Sequence, residues 1–124
     1  MTTLSDYGKD LLARVLCARQ PALPTSVHVA LGTGGSDATG VTGEPVGNGY
    51  ARQAVSFTGT GAQQNAAQLQ FAFTGAVGTL THIGLFDAVA GGNALSWAAL
   101  PTPATLNGAG TVTIASGSLS VLGD

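Results

Sequence analysis

Apolar residues recur about every 3.6 positions up to residue 19 and every second position after Pro24, and this change of period divides the chain. Leu4, Tyr7, Leu11, Leu12, Val15 and Leu16 form one stripe, which predicts an amphipathic helix over residues 4–18. Thr3 is suited to cap it, with Asp6 three residues on as the acidic partner. Arg19 suits the negative end of the helix dipole, and Pro21 and Pro24 stop the helix. The stripe has two possible uses. It can pack on the protein's own sheet, or its six residues can be the interface with a neighbouring subunit.

Beyond Pro24 the pattern is that of strands. Val27, Val29 and Leu31 alternate with His28 and Ala30 over about residues 26–32. Residues 32–49 carry seven glycines and read as a long loop. A strand is predicted from Tyr50 to Thr58, followed by a turn over residues 59–65. The clearest alternation is Ala67, Leu69, Phe71 and Phe73 against Gln68, Gln70 and Ala72, a half-buried strand. Further strands follow at 79–87 and 94–100, joined through Gly91-Gly92-Asn93. Pro101 and Pro103 mark an edge or crossing segment, and short strands around Val112–Ile114 and Leu119–Val121 close the chain.

Seven or eight short strands with regular turns predict a mainly β chain, an antiparallel β-sandwich or jelly-roll-like fold with one N-terminal helix. The expected division is residues 1–20, an attachment or inter-subunit helix, and residues 21–124, the β-sandwich domain. Leu69, Phe71, Phe73 and Trp97 are the expected core.

Composition sharpens this picture. Charged residues are 8% of the 124, against roughly 25% in an average soluble domain. Half of them, Asp6, Lys9, Asp10, Arg14 and Arg19, lie in the first 19 residues. The rest of the chain must present Thr, Ser, Gly, Asn and Gln to its surroundings, which suits a body covered by other protein in an assembly. Four Lys and Arg at a net charge of −2 exclude a broad grip on nucleic acid and make an anionic membrane an unsuitable partner. One cysteine, Cys17, excludes an internal disulfide and a cysteine-rich zinc site. The charged N-terminal residues do not read as a signal peptide, and no apolar stretch has the length of a membrane span.

No catalytic constellation emerges. The residues able to move protons are His28, His82, Asp37, Glu44 and Asp87, with no recognisable pairing and no nucleophile elbow. Gly32-Thr33-Gly34-Gly35 follows a strand but lacks the Gly-Lys-[Ser/Thr] of a phosphate loop. The expectation is therefore no enzyme, no cofactor and no metal.

Three ordered segments carry a resemblance. They are Gly49-Tyr50-Ala51-Arg52-Gln53-Ala54-Val55-Ser56-Phe57, then Gly78-Thr79-Leu80-Thr81-His82-Ile83-Gly84-Leu85-Phe86-Asp87-Ala88 with Gly91-Gly92-Asn93 and Trp97, then Pro103-Ala104-Thr105-Leu106-Asn107-Gly108 with Leu119–Val121. Together with the N-terminal Leu-Ser-Asp-Tyr, the set resembles a family of small tailed-bacteriophage virion proteins, tail-fibre-like or capsid-decorating. The resemblance implies a structural role in the virion, assembled in the bacterial host cytoplasm, with no catalytic residue to transfer. The leading expectation is a capsid decoration or cement protein, self-associating as a homotrimer and bound to the major capsid protein or other virion proteins. The alternative is a tail-fibre-like or tail-appendage protein. A further alternative, a carbohydrate-binding β-sandwich, requires Trp97 or Tyr50 to be exposed as a sugar platform.

Overall fold

In the computed structural model, which describes residues 2–122, the alternating segments pair into four antiparallel sheets around one short helix. The elements are β1 (Thr3–Leu4), α1 (Asp6–Leu16), β2 (His28–Gly32), β3 (Gly34–Ser36), β4 (Gly40–Thr42), β5 (Gln53–Ala54) and β6 (Phe57–Thr58). They continue with β7 (Gln63–Asn65), β8 (Leu69–Phe73), β9 (Gly78–Phe86), β10 (Ala94–Leu106), β11 (Gly110–Ile114) and β12 (Ser120–Val121). The main sheet has the order β1-β10-β9-β2-β5, and smaller sheets are β8-β11, β6-β7-β12 and the hairpin β3-β4.

The core lies between the main sheet and the smaller sheets. Val29 and Leu31 of β2 and Ile83 and Leu85 of β9 meet Leu69, Phe71 and Phe73 of β8, joined by Leu80 and Leu119. In β8 the alternation is as the sequence predicts: Leu69, Phe71 and Phe73 are buried and Gln70 and Ala72 exposed. Burying a side chain such as Phe71 is worth roughly 1.5–3 kcal/mol. Trp97 lies apart from that core. It packs half-buried beside Ala30, Val41 and Phe86 on the other face of the main sheet.

Several elements differ from the sequence expectation. The helix starts at Asp6 because Thr3–Leu4 pairs with Ser96 and Trp97 of β10. Leu4 is therefore a buried strand residue and Ser5, not Thr3, is the N-cap. This pairing crosses the expected boundary at residue 20. The glycine-rich stretch 32–49 contains the hairpin β3-β4, which covers the second face of β2 and β9. A Cβ on Gly84 would stand 2.7 Å from Val41 Cγ2 and from the Ser96 carbonyl oxygen, so the close approach of hairpin and sheet requires glycine there. The expected strand 50–58 is split, β5 joining the main sheet and β6 another. Residues 63–65, expected in a turn, form β7. Twelve strands stand among the described residues, several of only two or three residues, instead of seven or eight.

β10 carries two irregularities. Ala94 faces Phe86 and Ser96 faces Leu85, so Leu95 is an extra residue, a bulge. Further on, Ala99 faces His82 but Ala104 faces Leu80, and the slack holds Pro101 and Pro103, which have no N–H for a ladder.

Candidate functional site: an apolar trough beside the N-terminal helix

The bulge in β10 fixes where the helix sits. The Ser5 N–H donates to the Leu95 carbonyl at 3.0 Å, and the Ser5 hydroxyl donates to the Ala94 carbonyl. The same hydroxyl accepts from the Gly8 N–H at 3.0 Å, and the Asp6 N–H donates to the Asp37 carbonyl at 2.7 Å. Gly8 rests on the Leu95 carbonyl so closely that a Cβ would collide with it. The helix start is thus fastened to β10 and to the tip of the β3-β4 hairpin.

From this anchorage α1 directs Leu11, Leu12 and Val15 toward Leu23, Pro24 and Leu122, enclosing an open apolar cavity of about 270 Å³. Leu4, Gln63, Leu95 and Val121 are shared with a second cavity of about 310 Å³, which reaches Phe57, Leu85 and Ser96. Val15 and Leu23 are shared with a third, about 280 Å³, bounded by Ala18, Gln20 and Pro21. The three adjoin as one trough. Ser96 lines it fully buried, and its hydroxyl has no hydrogen-bond partner. Such an orphan group costs about 1–3 kcal/mol.

Of the expected interface residues, Leu4, Leu11, Leu12 and Val15 line the trough. Tyr7 is half-buried and Leu16 is 77% exposed. Leu23, Leu95, Ser96 and Val121 were not foreseen. Leu23 between two prolines was a weak signal for one of them. The inward turn of Leu95 had none, because a bulge reverses the alternation from which faces are read.

Four of the charges fall into two bound clusters. Glu44 receives Arg52 at 2.6 and 3.0 Å and the Tyr50 hydroxyl at 2.6 Å. Arg52 also donates to the carbonyls of Ala88 and Gly91, and its guanidinium lies 3.8 Å above the Phe86 ring centroid. Burial pushes the Glu44 carboxyl up, but the hydrogen bonds from Arg52 and Tyr50 outweigh it and hold it below the ordinary range. Burial, then Glu44, pushes the Tyr50 hydroxyl well above the ordinary range, so it remains a donor.

The second cluster joins Asp37, Trp97 and Lys9. Trp97 Nε1 donates to Asp37 at 2.8 Å, and this bond is the main cause of a lowered Asp37 pKa, with the Lys9 ammonium 3.5 Å away adding to it. His82 stacks on Trp97 with ring centroids 6.0 Å apart. Among the described residues Arg14 and Arg19 meet no carboxylate; Arg14 Nε donates only to the Asp10 carbonyl.

Neither aromatic named as a sugar platform stands free. Trp97 is held between His82, Asp37 and the hairpin at Gly35, and Tyr50 stacks beside Phe71 and Phe73. His28 and His82 lie four residues apart along β2, since His82 faces Gly32. No helix among the described residues is long and apolar enough to cross a membrane.

Two comparisons with known proteins complete the description. A comparison with curated proteins gives no match. Against protein families, residues 3–122 match the family described as Podophage GP4 fiber I protein gp80.

Proposed function

The chain belongs to this podophage fibre family, and from that membership we infer that it is a non-enzymatic subunit of the virion's tail fibre apparatus. The observation that carries the reading is the extent of the match, which takes in the helix, the trough and every strand. A fibre family supports the tail-appendage role ahead of capsid decoration, which had been the leading expectation. The physical character of the chain suits the fibre role. Its strands form a hydrogen-bonded body, and four of its few charges are engaged with each other in two ion pairs.

In this reading the sheets, β1 included, supply the rigid body and α1 its attachment face, with Leu11, Leu12 and Val15 at the contact. Copies associate through apolar and Thr, Ser, Asn and Gln groups, most simply as a homotrimer. Gold-labelled antibody against the chain, applied to intact particles, tests the assignment. Label at the tail is expected. Label spread over the capsid faces would return the decoration reading.

A further inference from the structure

β11 pairs with β8 along one side, from Gly110 facing Phe73 to Ile114 facing Leu69, without a shift of register. In an antiparallel pair every second residue turns its N–H and carbonyl away from the partner, so the far side of β11 carries a row of donors and acceptors. Among the described residues no strand joins that side, and residues 110–114 make no backbone hydrogen bond except to β8. The far side of β8 is occupied instead. There the Thr74 N–H donates to the Asn48 carbonyl at 2.8 Å, and a Cβ on Gly49 would stand 3.2 Å from the Ala72 carbonyl oxygen.

Edge strands that stay single are commonly guarded by a proline, a bulge or a charge, lysine above all. Gly110-Thr111-Val112-Thr113-Ile114 has none of these, and no charged residue stands between Asp87 and Asp124. The side chains show the same open edge. Val112 and Ile114 pack against the core yet stay half-buried, because the sheet stops at β11. Thr111 and Thr113 are exposed on the opposite face.

The strand is also its own complement. A second β11 turned about a two-fold axis through Val112 lies antiparallel to the first, with Val112 opposite Val112, Thr111 opposite Thr113 and Gly110 opposite Ile114. All five residues then pair, and the apolar face of one copy continues into the apolar face of the other, as a buried register requires. Each Thr111 meets a Thr113, a cross-strand pair that stabilises sheets.

We propose that β11 is a contact between two copies of this chain, joined by antiparallel addition of β11 to β11 into a continuous sheet β8-β11-β11-β8. The contact is isologous, so it closes on itself and uses up both edges. It goes beyond the fibre reading and does not depend on it. A trimer formed elsewhere on the chain would carry three such edges and double to six copies.

The test uses the purified full chain in analytical ultracentrifugation. An even number of copies is expected for wild type. Thr111→Lys with Thr113→Lys places lysine opposite lysine twice and should weaken the two-fold association by about tenfold or more. Thr111→Lys with Thr113→Glu places lysine opposite glutamate twice in the same register and should keep it within about threefold of wild type. Both positions are exposed, and circular dichroism checks that the variants fold. A photo-crosslinking amino acid at position 113 should join two copies, with the adduct mapped to residues 110–114 of the second. A wild-type chain that is monomeric at micromolar concentration or has an odd number of copies would overturn the proposal. So would undiminished association of the double lysine variant, or a lysine–glutamate variant as weak as the double lysine one. An adduct elsewhere on the chain would also overturn it, as would one formed in assembled particles with a different protein only.

Discussion

Arg52 and Glu44 meet fork to fork, Nη2 to Oε1 at 2.6 Å and Nε to Oε2 at 3.0 Å, and through them the 43–52 segment is tied to the turn after β9. The Arg52 side chain is only 7% exposed and the Glu44 side chain 25%. Bidentate geometry at this depth makes the pair stronger than an open surface ion pair. Glu44→Gln should cost about 2 kcal/mol in urea denaturation, since it leaves a buried guanidinium half-satisfied. Tyr50→Phe keeps the stacking on Phe71 and Phe73 and should cost about 1 kcal/mol. Wild-type stability in both variants would show that the cluster is too wet to matter.

The same carboxylates set the acid limb of stability. Glu44 and Asp37 are both held below their ordinary values of 4.5 and 3.8, so the unfolded chain binds more protons around those values. Their contribution is complete above about pH 5 and is lost as pH falls through the lower folded values. Melting temperatures taken from pH 7 to pH 2.5 should decline below about pH 4.5. Glu44→Gln should melt lower at neutral pH and decline less steeply. An equally steep decline in that variant would assign the acid sensitivity to other groups.

Gly8→Ala tests the docking of α1. Inside an isolated helix this change stabilises by about 1 kcal/mol. Here the added methyl meets the Leu95 carbonyl, which is held in place by the Ser5 N–H. The expected outcome is destabilisation of about 1–3 kcal/mol with unchanged helix content, read by thermal melts and circular dichroism. A stabilised variant would mean that the helix rides free of β10.

Phe71→Ala addresses the core. Phe71 is 1% exposed between the sheets, and its loss should cost about 3–5 kcal/mol. The measurement is chemical denaturation of the purified chain.

Association of the purified chain is the last expectation. Contacts built from apolar and amide or hydroxyl groups are barely screened, whereas exposed ion pairs fade beyond a Debye length of roughly 10 Å at 0.1 M salt. Light scattering between low salt and about 1 M salt should return one constant oligomer mass. Dissociation by salt alone would make the few charges the principal contacts.

What the sequence disclosed follows from which forces are local. The strand at Leu69–Phe73 was legible because its partners cover one face only, leaving strict alternation. β2 is covered on both faces, so Ala30 is as buried as Leu31 and alternation misleads. Thr3 and Ser5 can each cap a helix, and only pairing with β10 decides between them. The β3-β4 hairpin was hidden by its glycines, which have no side chains to show a period. The helix stripe pointed to one wall of the trough. Its other walls come from Leu23, Leu95 and Val121, which are joined only by folding.

The slipped stretch of β10 has a consequence for crowding. Beyond Trp97 the outer side of β10 carries no partner strand among the described residues, yet Pro101 and Pro103 withdraw two of the donors a foreign strand would need. High local concentration is the condition under which bare strand edges polymerise. With this edge blunted, crowded chains of this sequence are kept from zipping into runaway sheets along β10.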